Sequence, residues 1–300
     1  MRPILVTLLA LGICQCSPVA NKPTPLVMWH GMGDYGTSYF SMGHIKRLVK
    51  KNVPDIYVKS VVVGANFMED IVHGFIGNVN NQVEQICQEI AADPELQDGY
   101  HAVGFSQGAQ FLRAVAERCP TPAMKNLISI GGQHQGVFGL PNCDPGNLIC
   151  EEIRRILDLE AYAEWVQDEI VQAQYWHDPL HEEVHRNKSR FIALINNDQT
   201  LMEEQRENLK KLENFVMVKF LNDTMVVPNE SSWFGFYRPG QDVEVLPLRE
   251  TDLYIEDRLG LKEMDEAGKL VFLGVLGNHL DFTDDWFVQE IVEKYIKDSV

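Results

Sequence analysis

Long apolar runs are nearly absent from these 300 residues. The exception is Ile4 to Ile13, directly behind Met1-Arg2, and it is too short to span a bilayer. It excludes a multi-span membrane protein and reads as a secretory signal peptide over residues 1–16. The small residues Cys14 and Cys16 allow cleavage after Cys16, and the mature chain, from about residue 21, is expected to be soluble with no transmembrane segment. Positive charge is scarce: 26 Lys and Arg stand against 43 Asp and Glu, a net charge of −17. Such a surface repels nucleic acid and anionic lipid headgroups, and it suits an acidic compartment. Cysteine is sparse as well, and loss of the leader leaves Cys87, Cys119, Cys143 and Cys150. An even number on the secretory route suggests two disulfides. Three pairings are possible. Cys87–Cys119 with Cys143–Cys150 is favoured, because the second pair lies seven residues apart in one Pro/Gly-rich loop. Internal repeats and low-complexity segments are missing, and 45% hydrophobic residues supply a sizeable core. The C-terminus, Lys297-Asp298-Ser299-Val300, is not an ER-retention signal.

What is present begins with Gly99 to Gly108, where an apolar run ends in Gly104-Phe105-Ser106-Gln107-Gly108. Ala109, Leu112, Val115, Ala116 and Cys119 follow at helical spacing. Strand, sharp turn and helix around G-x-S-x-G form the nucleophile elbow of α/β-hydrolases. Alternating strands and helices on either side predict a mostly parallel sheet. The predicted strands are Leu26–Trp29, Ile56–Val63, the Ser106 strand, Leu127–Ile130, Phe215–Leu221 and Lys269–Val275. Val79 to Ile90 carries a helical stripe. Thr283 is placed to cap a last helix carrying Trp286, Phe287, Ile291, Val292 and Tyr295 on one face. Between about residues 140 and 214 the alternation breaks into helical patterns. This reads as an inserted cap within one domain spanning 21–300. Three sequons fit a secretory route: Asn187-Lys188-Ser189, Asn222-Asp223-Thr224 and Asn229-Glu230-Ser231.

The chemistry needs an acid and a base after the serine, in the order Ser, acid, His. Asp223 and His279 each follow an apolar strand, so each is expected at the sheet edge where Ser106 emerges. A serine hydroxyl is a poor nucleophile until an imidazole takes its proton, and a carboxylate fixes that imidazole's tautomer. Two backbone N–H groups must receive the oxyanion; Gln107 supplies one by position, and Met32, in the loop after the first strand, the second. Asp198 is the rival acid and His30 the rival base. His181-Glu182-Glu183-Val184-His185 matches the H-E-x-x-H zinc helix, with His177 four residues back. Pro179 and the Asn187 sequon mark it as a solvated surface segment, so neither a metal nor a cofactor is expected.

Four stretches taken together carry a resemblance: Trp29-His30-Gly31-Met32-Gly33-Asp34, Gly104-Phe105-Ser106-Gln107-Gly108, Gly131 to Pro141 with its Gln133-His134-Gln135, and Trp233-Phe234-Gly235-Phe236-Tyr237. They resemble the palmitoyl-protein thioesterases, from about Pro25 to the final helix. The resemblance implies an α/β-hydrolase whose helical insertion helps to hold a long acyl chain. It implies removal of S-linked fatty acids from cysteines during lysosomal breakdown. Carried over residue by residue, it assigns nucleophile, acid and base to Ser106, Asp223 and His279, and the oxyanion donors to Met32 and Gln107. Tyr35-Gly36 stand where some relatives carry adjacent cysteines. The competing readings are a neutral-lipid or carboxyl-ester hydrolase and an inactive hydrolase fold used for binding.

Overall fold

The structure is a computed structural model that describes residues 22–139, 148, 152, 155–157 and 160–297. The expected signal peptide and the Cys143–Cys150 pair lie outside the described residues. Apolar runs that are hydrophobic on both faces need cover on both sides, and the chain provides it with a parallel sheet between helices. Strand β1 (Leu26–Trp29) is followed by helix α1 (Met42–Asn52), β2 (Val58–Ser60), α2 (Phe67–His73), α3 (Val79–Ala92), β3 (Tyr100–Phe105), α4 (Gln107–Arg118) and β4 (Met124–Ile130). Strand β5 (Asn214–Phe220) follows, then a small hairpin of β6 (Phe236–Tyr237) and β7 (Val245–Leu246), then β8 (Leu270–Val275). The main sheet has the order β2-β1-β3-β4-β5-β8, and every pairing in it is parallel. This is the α/β-hydrolase arrangement that the alternating pattern predicted.

Register decides where the chemistry emerges. Trp29 pairs with Gly104, Phe105 with Ile130, and Phe220 with Val275. The chain therefore leaves β1, β3, β5 and β8 at one edge, the carboxyl edge where ligands of such sheets sit. The core divides on the sheet's two faces, with Phe111, Leu112 and Phe215 on one side and Met28, Val103 and Phe287 on the other.

Three predicted elements differ from the pattern, the first being β4, which begins at Met124, three residues before the expected Leu127. The strand expected over Ile56–Val63 pairs only at Val58–Ser60, because the Val63 N–H turns away to the Asp70 carboxylate at 2.7 Å. The last helix is capped by Thr283, whose side chain accepts from the Trp286 N–H, but over Phe287–Ile296 it is wound with π-type hydrogen bonds. Between β4 and β5 the described residues form short helices, including Glu164–Glu169, Glu182–Lys188 and Glu203–Leu209. Cys87 on α3 is bonded to Cys119 at the end of α4, with 5.9 Å between the α-carbons. No helix among the described residues is long and apolar enough to cross a membrane.

Candidate active site

Ser106 caps α4 with φ of 52°, a left-handed conformation that costs a non-glycine residue energy and persists only where its surroundings impose it. Close packing of strand against helix imposes it here. A β-carbon at Gly104 would lie 2.3 Å from the Ala109 α-carbon, and one at Gly108 2.4 Å from the His30 carbonyl oxygen. Only glycine fits at either place. The turn lifts the Ser106 hydroxyl above the sheet edge.

His279 approaches that hydroxyl from the loop after β8. Its Nε2 lies 2.9 Å from Ser106 Oγ, and its Nδ1 2.7 Å from Asp223 Oδ2. The carboxylate can only accept, so Nδ1 carries the proton and the bare Nε2 faces the serine hydroxyl, which donates to it. The Asp223 side chain is fully shielded from solvent, and its second oxygen accepts from the N–H groups of Met225 and Val226 at 2.8 and 2.9 Å. Asn278 binds the two loops together: its Oδ1 accepts from Thr224 and from the His279 N–H. The loop after β1 packs against the serine, since a β-carbon at Gly31 would stand 3.1 Å from Ser106 Cβ. Met32 lies in that loop and Gln107 opens α4, where the first N–H groups have no partner within the helix.

Neither rival takes part in this relay. Asp198 pairs with Arg258 at 2.8 Å, away from the serine. His30 is buried with Nδ1 against the Gly31 carbonyl at 2.9 Å and Nε2 against Asp70 Oδ1 at 3.2 Å. Both neighbours are acceptors, an arrangement that favours a proton on each ring nitrogen and so the charged ring. Burial pulls the His30 pKa down, but the Asp70 hydrogen bond and charge, the Gly31 carbonyl and Asp34 outweigh it and leave it raised. Burial pushes Asp70 up, yet His30 and the N–H groups of Gly36 and Val63 bring it below the ordinary carboxylate range. Asp70 thereby holds the loop after β1 at Gly36, whose N–H donates to it at 2.8 Å, next to Tyr35 and without a disulfide there.

The H-E-x-x-H segment is not uniformly solvated, as the sequence suggested. His181 is exposed beside Asp178, but His185 is buried and stacked on His177 with ring centres 3.8 Å apart. Tyr162 and Asp198 pack around it, which is why a polar segment can bury one histidine. Among the described residues no group of three or more His, Cys, Asp or Glu side chains is arranged to hold a metal ion.

The sequence did not expose three contributors. Gln133 donates from Nε2 to Ser106 Oγ at 3.0 Å. His134 is buried between Ser129 and the Phe234 ring, and burial, with nearby Arg113, keeps its pKa well below the ordinary value. Arg113, fully buried on α4, donates to the carbonyls of His134 and Ile195, to Asn196 and to Glu117. The only signal for Gln133 and His134 was that Gln133-His134-Gln135 and the run from Trp233 to Tyr237 stood out as motifs; Arg113 had none. Those two stretches interlock, since Gln135 Nε2 donates to the Phe234 carbonyl and, just before the second run, the His134 N–H donates to that of Ser231.

A cavity of about 320 Å³ opens on Ser106 and His279. Its apolar lining comes from Phe40, Met42, Ile45, Phe105, Met225 and Phe282. No described residue of the insertion lines it, so the apolar wall beside the serine is built by α1 and the loops after β5 and β8. Of the sequon asparagines, Asn187 and Asn222 are exposed, while Asn229 is half-buried and donates to the Phe220 and Leu221 carbonyls.

The family model described as palmitoyl protein thioesterase matches residues 25–279. The chain is 50% identical over 293 residues to Palmitoyl-protein thioesterase 1 of Caenorhabditis elegans, covering 98% of each chain. It is 34% identical over 278 residues to Palmitoyl-protein thioesterase 3 of Dictyostelium discoideum, covering 92% of this chain and 91% of that one. It is 26% identical over 257 residues to Lysosomal thioesterase PPT2 of Rattus norvegicus, covering 85% of this chain and 81% of that one.

Proposed function

The chain belongs to the palmitoyl protein thioesterase family and hydrolyses acyl thioesters, and from that premise we propose that Ser106, His279 and Asp223 carry out the reaction on S-palmitoylated cysteines of proteins or peptides. The observation that carries the reading is the unbroken relay from Asp223 through His279 to Ser106, at 2.7 and 2.9 Å, at the mouth of an apolar cavity.

Ser106 Oγ attacks the thioester carbonyl carbon while its proton passes to His279 Nε2. Asp223 stabilises the imidazolium that forms. The backbone N–H groups of Met32 and Gln107 receive the oxyanion. The tetrahedral intermediate collapses by breaking the carbon–sulfur bond, and the His279 imidazolium passes the serine proton to the departing thiolate, which leaves Nε2 free to act as base again. A cysteine thiol has a pKa of about 8.5, far below that of an alcohol, so sulfur leaves with little help from a proton donor. The acyl group is then held as an ester on Ser106. Water attacks that ester with His279 as base, the fatty acid leaves, and the serine recovers its proton.

The working place is the lysosome, reached through the secretory route by the leader over residues 1–16. The name of the rat relative and the acidic composition support this. Exposure of Asn187 and Asn222 supports sugar attachment there, whereas the Asn229 amide is engaged within the fold.

The test is hydrolysis of matched palmitoyl thioester and oxygen-ester substrates by the wild type and by Ser106→Ala, Asp223→Asn and His279→Ala. Each variant should fold and lose most activity, and the losses should not add, because the three act as a unit. A fluorophosphonate should label Ser106 alone. Full activity in Ser106→Ala, or a preference for the oxygen ester, would overturn the proposal.

A further inference from the structure

Helix α1 departs from the charge of the rest of the molecule. The whole chain carries −17, yet Met42–Asn52 holds Lys46, Arg47, Lys50 and Lys51 and no acidic residue. Arg47, Lys50 and Lys51 are exposed and Lys46 half-exposed. Among the described residues none of the four is within ion-pair distance of a carboxylate, although the chain has 43 acidic residues to supply one. Four cations are therefore left side by side. Burial lowers the Lys46 pKa, and the neighbouring Lys50 charge adds to that shift.

Two aromatic residues project beside them. Tyr39 is 64% exposed and Phe40 88% exposed, in edge-to-face contact with each other. Arg47 lies over the Tyr39 ring at 4.1 Å and donates to the Tyr39 carbonyl. The guanidinium thus fixes the aromatic tip against the basic helix. The same stretch reaches the reaction centre: Phe40, Met42 and Ile45 line the cavity that ends at Ser106.

Cations flanking exposed aromatic rings make the side-chain set that sits at a lipid interface, with rings at headgroup level and positive charge over anionic headgroups. We propose that the Tyr39-Phe40 tip and the basic face of α1 dock the enzyme on an anionic lipid surface. The cavity mouth then faces the membrane, and an acyl chain anchored there can pass directly to Ser106. This rests on the proposed role of Ser106 and adds to it the surface from which substrate is taken. It also reverses, at the four cations of α1, the repulsion that the overall charge implies. Local charge decides at contact because screening confines electrostatics to about 8 Å at physiological salt.

The test uses the full mature chain with phosphatidylcholine vesicles prepared with and without phosphatidylglycerol. The wild type should float with the anionic vesicles and not with the neutral ones, and added salt should release it. Each cation near such a surface contributes about fivefold to binding, so the double variant Lys50→Glu/Lys51→Glu should lose at least about tenfold. Tyr39→Ser should also weaken binding. Both variants should turn over a short, soluble acyl thioester as wild type does, and both should lose rate on a palmitoyl peptide held in anionic vesicles. Ser106→Ala should bind vesicles normally and hydrolyse nothing. Turnover without vesicle binding would overturn the docking surface alone; vesicle binding by an enzyme whose Ser106 proves dispensable would overturn the catalytic reading alone. Equal binding to neutral vesicles, or unchanged binding by the double variant, would also overturn it. Were the double variant to lose rate only on a soluble acidic peptide thioester, the patch would recognise peptide and not lipid.

Discussion

Gln133 donates its side-chain N–H to Ser106 Oγ at 3.0 Å, on the same oxygen that faces His279 at 2.9 Å. With one lone pair of Oγ occupied by the amide, the hydroxyl proton is directed to the imidazole. The serine hydroxyl is thus held in the rotamer that faces the imidazole. Gln133 reaches this place because the chain turns sharply after β4, and Arg113 anchors the next residue by its carbonyl at 3.1 Å.

Gln133→Ala should therefore lower kcat for a soluble thioester by about tenfold, the value of one well-placed hydrogen bond, with KM little changed. Gln133→Glu should be worse, since a carboxylate would accept the serine proton's hydrogen bond and compete with His279. Rates equal to wild type in both variants would remove Gln133 from the mechanism.

That Ser106, Asp223 and His279 would meet was legible in the sequence because each follows an apolar strand that has to be buried. Strand β1 was read to the residue, and β5 and β8 to within one. Contacts between distant polar residues were not legible. Nothing in the spacing of His30 and Asp70, forty residues apart, announces a buried ion pair. Asp70 stands beside Glu69 as one more acid in the sequence, and only the folding of α2 turns it inward. His185 was misread for the same reason, since the partners that permit its burial lie on other segments. The π winding of the last helix keeps the apolar face that the periodicity predicted and changes only the hydrogen-bond ladder.

The cavity beside Ser106 predicts how rate depends on chain length. Each methylene it buries contributes about 0.8 kcal/mol, or about fourfold. With monomeric acyl thioesters, kcat/KM should climb steeply with chain length and then level off as the cavity of about 320 Å³ fills. Met225→Trp, a half-buried lining residue, should bring that plateau to shorter chains. A flat profile, or a plateau unmoved by Met225→Trp, would mean that the acyl chain lies elsewhere, against the insertion.

Arg113 holds α4, the Gln133 loop and the Ile195-Asn196 turn together through four acceptors. Removing one partner of a buried ion pair costs about 3–5 kcal/mol, so Arg113→Met should lower Tm by on the order of 10 °C. Arg113→Lys should recover little, because an ammonium cannot span acceptors that a planar guanidinium reaches from two nitrogens. Thermal denaturation followed by near-UV circular dichroism measures both, and a Lys variant as stable as wild type would refute the bridging role.

The His30–Asp70 pair makes stability depend on pH in a defined direction. His30 has its pKa raised by folding, so the folded state binds that proton more tightly than the unfolded chain. Below the ordinary imidazole value of about 6.5 its contribution is complete, and it is lost as pH rises through the raised value. Asp70 has its pKa lowered, so its contribution is present above the ordinary carboxylate value of about 3.9 and is lost as pH falls through the depressed one. The pair is therefore strongest in mild acid, between those limits. Asp70→Asn should cost about 3 kcal/mol at about pH 5, and the gap to wild type should narrow as pH rises through the raised His30 value. Taking the difference between the two proteins cancels the other histidines. Because His30 and Gly36 frame the loop that carries Met32, Asp70→Asn should also slow turnover most at acid pH, where wild type gains most from the pair. Urea midpoints measured across that range decide it: a gap that stays constant with pH would show that His30 does not titrate against Asp70, and that the loop is held by the Gly36 and Val63 hydrogen bonds alone.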